Sequence, residues 1–327
     1  MPKQIMNNMD SVYRFFSSVL SNILPRYIGV ESTNRSNLKC PVCATSQYLH
    51  RDKGEMTIEL FQTLIDQIDW KVKMINLGYS GEPLLNKNLF ALIRLAGKKG
   101  IKVGFETNGF FVEDFAEEIV ASGTDYINIA IDGASQESLV KYRVGSDFER
   151  IVRGIKRLTQ LKKSKESNRP LVALQFLIMR HNQDEIDFVR SLAKECGVDE
   201  LKIKTFNVDL GFWLTEEKRK GLLQQFEPTN KAYSRYNTNR KGEIFSKTRP
   251  YCKYVFTSPV ILYNGDVSLC CLDFNGEYLL GNIKTDSLKS IWKGERYNQL
   301  RSKACRRALE ICRKCSFDYS VNTKLDL

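Results

Sequence analysis

Between residues 27 and 206 the chain alternates between two hydrophobic periods. Short runs rich in β-branched and aromatic residues recur at 27–32, 72–79, 101–106, 126–131, 171–178 and 201–206, as buried strands do. Between them apolar residues recur three and four apart: Ile58, Phe61, Leu64, Ile65 and Ile68, then Leu89, Leu92, Ile93 and Ala96. The same spacing continues through Phe115, Ile119 and Val120, through Phe148, Ile151, Val152 and Ile155, and through Ile186, Val189, Leu192 and Ala193. It puts each set on one face of a helix. Gly97, Gly100, Gly123 and Gly197 punctuate the joins. Strand–helix units in such a series predict a parallel sheet with helices outside, closed into a barrel or forming part of one.

Ahead of the series, Val12, Phe15, Phe16, Val19, Leu20 and Ile23 have helical spacing, with Ser and Asn on the other face and Pro25 as the stop. That polar face carries few basic residues to meet anionic lipid, so the segment is expected to pack on the main domain. No run is long enough to span a bilayer. After the series, 207–249 holds a charged helix-like stretch at 215–226 and then Tyr, Asn, Lys and Arg with few core positions, the pattern of a connector. Beyond Cys252, apolar runs at 255–263 and 267–272 flank Asn264-Gly265, which predicts a β-hairpin. The expected divisions are 1–26, 27–206, 207–250 and 251–327.

Composition changes this picture little, except in its charge and its cysteines. The chain has 327 residues, 42% hydrophobic and 27% charged, ordinary values for a globular protein. Its net charge of +12 invites a nucleic-acid partner, but the basic residues are scattered, with dense spots only at Lys156-Arg157, 162–165 and Arg306-Arg307. No aromatic-interleaved recognition element accompanies them, so neither a nucleic-acid nor a membrane partner is expected. Nine cysteines are many for such a chain: Cys40 and Cys43 lie early, Cys196 alone, and six crowd the last quarter. No signal peptide opens the sequence, so a cytoplasmic location is expected, and clustered thiols there read as metal ligands.

Parallel α/β folds gather their chemistry where loops leave the C-terminal ends of the strands. The loops at that edge are Asn34–Cys43, then Gly78-Tyr79-Ser80-Gly81-Glu82-Pro83, then Thr107-Asn108-Gly109, then Asp132-Gly133. Taken alone, Cys40-x-x-Cys43 is a thiol pair or half of a zinc site, and each of the others is a turn. With cysteine at position 36 the first loop would read C-x3-C-x2-C.

The order of these loops resembles the radical S-adenosylmethionine (SAM) superfamily. That resemblance implies a partial (β/α)6 barrel over 27–206, with a [4Fe-4S] cluster on Cys40, Cys43 and the position of Ser36. It further implies that Ser80, Gly81 and Glu82 receive the methionine amino group of SAM. Thr107 and Asn108 are expected to touch the same cofactor, Gln175 to reach its ribose, and Arg143 to meet its carboxylate. Val42 stands where the family often carries an aromatic residue. Ser36 is the departure that matters: a hydroxyl is a harder ligand of higher pKa than a thiol, so cluster binding is expected to be impaired. It is read as a substitution in an otherwise functional site.

In the last quarter, two thiols across a hairpin plus Cys312-x-x-Cys315 make a four-thiolate site suited to zinc or to a fully ligated [4Fe-4S] cluster, and spacing alone does not choose. The pattern resembles the SPASM/twitch extension of radical SAM enzymes. This implies one auxiliary [4Fe-4S] cluster on Cys252, Cys270, Cys312 and Cys315, with Cys271 as a substitute for Cys270 and with Cys305 and Cys196 as plain thiols. The function so implied is radical-initiated oxidation or other modification of a sugar or peptide, with a reductant such as flavodoxin or ferredoxin as partner. The competing expectation is a non-catalytic, metal-stabilised binding protein on the same scaffold.

Overall fold

The computed structural model describes residues 23–209, 214–239, 244–246, 252–313, 315 and 323–325. The amphipathic pattern expected at 12–23 lies outside them apart from Ile23, as does part of the connector.

Six parallel strands follow chain order, each paired with the next: β1 (Tyr27–Val30), β2 (Met74–Asn76), β3 (Lys102–Thr107), β4 (Tyr126–Ala130), β5 (Leu171–Ile178) and β6 (Glu200–Thr205). Helices α1 (Ala44–Gln47), α2 (Ile58–Gln67), α3 (Leu89–Lys98), α4 (Val112–Ala121), α5 (Gln136–Val140), α6 (Phe148–Ser164) and α7 (Ile186–Glu195) fill the crossovers. After β6 come α8 (Glu216–Phe226) and a separate two-stranded ribbon, β7 (Tyr236–Thr238) with β8 (Ile244–Ser246). The chain then returns to the main sheet. Strand β9 (Val260–Ile261) lies parallel to β1, and β10 (Asp266–Ser268) and β11 (Leu279–Asn282) continue outward from it antiparallel. Helices α9 (Leu288–Lys293), α10 (Glu295–Cys305) and α11 (Glu310–Arg313) follow, and β12 (Thr323–Leu325) pairs antiparallel with β6. The resulting ten-stranded sheet never pairs β6 with β1, so the barrel is partial and open.

Alternation along the strands separates two faces. Ile75, Val103, Phe105, Ile127, Ile129, Val172, Leu174, Phe176, Leu201 and Ile203 are buried in one core with Phe61, Leu64, Leu92, Ile155 and Leu158 of the helices. The intervening positions form the inner face and are far more polar: Asn76, Glu106, Tyr126, Asn128, Gln175, Glu200, Lys202 and Lys204. Helix starts are capped as their sequences allow, with the Thr57 side chain accepting from the Leu60 amide and the Asp147 side chain from the Arg150 amide.

Strands β1 and β2 stop short of the expected 27–32 and 72–79 because side chains capture the backbone beyond them. Ser32 Oγ donates to the Leu77 carbonyl at 2.6 Å, Asn76 Oδ1 accepts from the Gly78 amide at 2.8 Å, and Asn86 Nδ2 donates to the Ser32 carbonyl at 2.7 Å. The C-terminal hairpin is likewise shorter than its apolar pattern. Residues Tyr254–Phe256 form a 3-10 turn closed by the Phe256 amide on the Lys253 carbonyl, so pairing begins only at Val260, after Pro259. Gly265 at its tip has φ +94°, which the Asn-Gly turn requires.

Within the dense basic spots three cations have acidic partners. Lys156 pairs with Glu195 at 2.6 Å, Arg157 with Glu117 at 2.9 Å and Lys162 with Asp199 at 2.6 Å. Exposed pairs of this kind add little stability, but they remove free cations from the dense spots of the sequence. Among the described residues no helix is long and apolar enough to cross a membrane.

Candidate active site

The loop after β1 is pinned at both ends. Buried Asn34 donates from Nδ2 to the Asp52 carbonyl at 2.9 Å and accepts at Oδ1 from the Gly54 amide at 2.8 Å, so the chain leaves the strand in one direction. At the far end the Cys40 carbonyl accepts from the Cys43 amide (3.2 Å), Ser46 Oγ (3.1 Å) and Gln47 Nε2 (3.3 Å), which curls the two thiols around a single turn. Burial pushes the Cys40 thiol up to about 11, opposed by the charge of Arg143. Between these anchors Ser36 Oγ accepts from the Leu38 amide at 3.2 Å. The loop therefore offers two soft sulfur donors and, at its third position, a hydroxyl engaged with its own backbone. Cys40 and Cys43 suit iron; Ser36 does not complete a thiolate set.

The Ser80-Gly81-Glu82 segment is fastened to this loop through the backbone. The Glu82 amide donates to the Arg35 carbonyl at 2.7 Å, and Gly81 has φ +68°. A Cβ at Gly81 would stand 2.5 Å from the Thr33 carbonyl oxygen and 2.6 Å from that of Arg35. Gly81→Ala is therefore expected to destabilise the protein by about 2–4 kcal/mol in urea unfolding. Gly97→Ala, in α3 with nothing within 4 Å of the new methyl, is expected to stabilise it by about 0.5–1 kcal/mol, and equal effects at both positions would contradict this account.

Glu82 is 1% exposed and collects the next strand's loop. Its Oε1 accepts from Thr107 Oγ1 at 2.8 Å and from the Leu84 amide at 3.2 Å, while Oε2 accepts from the Asn108 amide at 2.8 Å. Burial raises its pKa, and the bonds from Asn108 and Thr107 work against that rise. Asn108 Nδ2 then donates to Asn37 Oδ1 of the cysteine loop at 2.8 Å. Ser36, Cys40, Cys43, Gly81, Glu82, Thr107 and Asn108 thus share one edge. Ser80 turns away, donating from Oγ to Glu31 Oε1 at 2.5 Å.

Arg143, just past α5, closes over the cysteine loop. Its Nε donates to Asp132 Oδ2 at 2.6 Å, and the neighbouring Val144 carbonyl accepts from the Lys39 amide at 3.0 Å. Burial disfavours the guanidinium charge, but Asp132, then Cys40 and Tyr142, outweigh it and raise the pKa. Gln175 lies deeper on the inner face, its Oε1 accepting from Asn128 Nδ2 at 2.8 Å, and Asn128 Oδ1 is left without a partner among the described residues. Asn128 and the pairing of Asp132 with Arg143 were missed in the sequence. The polar break in the strand 126–131 was a signal for the first, and the Asp132-Gly133 turn for the second.

The second thiol group assembles between the hairpin and the last helices. Cys271 feels Cys315 and then Cys252, Cys270 feels Cys271 and then Cys315, and Cys312 feels Cys315, Cys252 and Cys305. Burial is the leading cause that raises all three, Cys312 to about 12. Cys252, Cys271, Cys312 and Cys315 thus lie within electrostatic reach of one another, with Cys270 beside Cys271 and Cys305 beside Cys252, but among the described residues no three such side chains are arranged to hold a metal ion as they stand. By the chemistry of their donors, thiols are the soft ligands that an iron–sulfur cluster or zinc takes. Cys196 stays apart, buried on the outer core.

A buried ion pair joins the two groups. Glu31, 0% exposed just beyond β1, accepts from Arg51 Nη2 at 2.6 Å and Nη1 at 3.1 Å, and from the Tyr263 amide at 3.1 Å. Arg51 Nε donates to the Phe274 carbonyl at 2.7 Å, and Phe274 stacks on Tyr79 with centroids 5.4 Å apart. Neither Glu31 nor Arg51 belongs to any sequence motif.

Comparison with known proteins covers the segments in which these residues lie. A family model of the radical SAM superfamily matches residues 30–192, and one of an iron–sulfur cluster-binding domain, SPASM, matches 252–316. The tungsten-containing aldehyde ferredoxin oxidoreductase cofactor-modifying protein of Pyrococcus furiosus is 23% identical, over 92% of this chain and 91% of that one. Among solved structures, BtrN in complex with AdoMet and 2-DOIA is similar in fold, with TM-score 0.56 at 20% identity over 91% of this chain and 99% of that one. Streptococcus suis SuiB bound to precursor peptide SuiA has TM-score 0.64 at 13% identity, over 97% and 76%.

Proposed function

The chain belongs to the radical SAM superfamily and carries a SPASM-type iron–sulfur domain after its barrel, and from that premise we propose that it oxidises a polar substrate, a peptide side chain or a sugar, on the inner face of the sheet. When bound and reduced, the family's [4Fe-4S] cluster supplies the electron that cleaves SAM to methionine and a 5′-deoxyadenosyl radical. Cys40 and Cys43 would hold it. Glu82 would face the methionine ammonium, its carboxylate already oriented by Thr107 and Asn108, and Arg143 would pair with the methionine carboxylate while Asp132 keeps it extended over the loop. Gln175, with Asn128, would take the ribose hydroxyls. Cys252, Cys270, Cys312 and Cys315 would hold an auxiliary cluster suited to accept the second electron of an oxidation. Flavodoxin or ferredoxin is the reductant class this chemistry requires.

The observation that carries this reading is the convergence, on one sheet edge, of two thiols, the buried Glu82 and the Arg143–Asp132 pair, joined by Glu31 and Arg51 to a second set of thiols. The polar inner face favours a polar substrate. One structural neighbour was solved with a precursor peptide and another with AdoMet and 2-DOIA, so a peptide ligand has precedent on this fold. The test is anaerobic incubation of the Ser36→Cys chain, iron-replete, with SAM and dithionite, against a peptide library and an aminosugar set. Substrate-dependent 5′-deoxyadenosine and a product two mass units lighter are expected. An iron-replete variant that leaves SAM intact would overturn the reading. Ser36 itself favours a second one, in which the chain as it stands is a binding protein holding only the C-terminal cluster.

A further inference from the structure

Arg301, on α10, is 0% exposed. Its guanidinium is held by neutral oxygens: Nε donates to the Val255 carbonyl at 2.9 Å, and Nη1 donates to the Trp292 carbonyl at 2.7 Å and to Asn298 Oδ1 at 2.9 Å. Its Cζ lies 3.7 Å from the ring centroid of Tyr297, 4.1 Å from that of Trp292 and 5.8 Å from that of Phe256. Among the described residues Nη2 has no acceptor at ordinary hydrogen-bond distance, the Tyr297 hydroxyl faces the guanidinium and favours its charge, and no carboxylate is paired with this arginine. Aromatic faces and carbonyl oxygens soften the burial of a cation without answering its charge. Buried charges ordinarily have a partner of opposite sign.

The thiol that acts on Arg301 is that of Cys305, which itself lies beside the proposed ligands Cys252 and Cys312. Cys305 follows Arg301 by one helical turn and so shares its face, and the Val255 carbonyl lies three residues beyond Cys252. Cys305 and Cys252 feel each other, and both act on Cys312. Protonated, these thiols carry no charge, whereas a cluster held by four thiolates is a net anion.

We propose that Arg301 is the built-in counter-charge of the auxiliary cluster, a buried guanidinium that balances the thiolate-held anion and favours its reduced form. This rests on the auxiliary cluster of the preceding section, and it makes that cluster a stronger electron acceptor because reduction adds negative charge next to a fixed cation. Arg301 acts through the field it sets and not by contact with substrate.

The chain with Ser36 suits the test, since its iron signal belongs to the C-terminal site. Iron and zinc analysis comes first: zinc without iron overturns the cluster reading and this inference together. With iron present, the midpoint potential is measured by redox titration with electron paramagnetic resonance in the parent, Arg301→Gln and Arg301→Lys. A shift to more negative potential is expected in Arg301→Gln, with Arg301→Lys staying near the parent at neutral pH. Equal midpoints in the parent and Arg301→Gln overturn the inference and leave the cluster standing. Should Arg301→Gln yield no folded protein, Arg301→Lys still decides. Its midpoint is expected to fall as pH rises and the buried ammonium loses its proton, while the parent, whose guanidinium does not titrate, shows the smaller slope. Parallel slopes would overturn the inference.

Discussion

Ser36→Cys is expected to raise the iron content of the reconstituted chain from about four to about eight atoms, one [4Fe-4S] cluster to two. Only the variant is expected to show an electron paramagnetic resonance signal that SAM perturbs. The cause is the donor set: Cys40 and Cys43 stand on a loop whose backbone is already tied by Asn34 and the Cys40 carbonyl, and the hydroxyl at 36 lies on the same loop. Replacing its oxygen by sulfur forfeits the weak bond from the Leu38 amide and adds a soft third ligand. Eight irons in the unaltered chain would show that Ser36 itself serves as a ligand. Zinc with no iron in either form would leave the binding-protein reading in place of the enzyme.

Arg51→Met is expected to cost about 3–5 kcal/mol of unfolding free energy, because it leaves the carboxylate of fully buried Glu31 without its cation. Arg51→Met combined with Glu31→Gln is expected to recover roughly half of that loss or more, since the neutral amide oxygen still accepts from the Tyr263 amide while its Nε2 donates to Ser80 Oγ. Denaturant unfolding of the four forms of the cycle measures both numbers. A single Arg51→Met loss below about 1 kcal/mol would mean that the pair is solvated and does not tie β1 to the hairpin that follows β9.

The fold was legible because two periods alternate cleanly. Strand runs with β-branched residues and helix stripes such as Phe61, Leu64 and Ile65 specify their elements locally, although Ile58 of the same stripe is exposed and Leu60 takes its place in the core, and the six strands appear in the order their sequences indicate. Boundaries were less legible where side chains rather than periodicity end an element, as Ser32, Asn76 and Asn86 do for β1 and β2. The short helices α1 and α5 carry too few residues for a period to show. Glycine turns and thiol pairs reveal the loops that carry chemistry, since those residue types are costly elsewhere. The partners of those loops stay hidden: nothing near Glu31 in the chain points to Arg51, Tyr263 or Phe274.

Sequence by itself determined the class of the protein: a parallel α/β barrel series, a cysteine loop and three polar turns at one strand edge, and a thiol-rich final quarter. Those are properties of short segments, set by side-chain period and by the chemistry of Cys, Gly, Asp and Glu. Tertiary structure alone decided that the final quarter extends the barrel's own sheet through β9 on β1, and that Glu82 is buried under Thr107 and Asn108. It also decided that Arg143 spends its charge on Asp132 and that Arg301 has no carboxylate to answer it among the described residues. Each of these is a pairing between residues distant in sequence or a matter of burial, and charge and hydrogen-bond energies depend on exactly those two things, distance and exclusion of water, which no local pattern records.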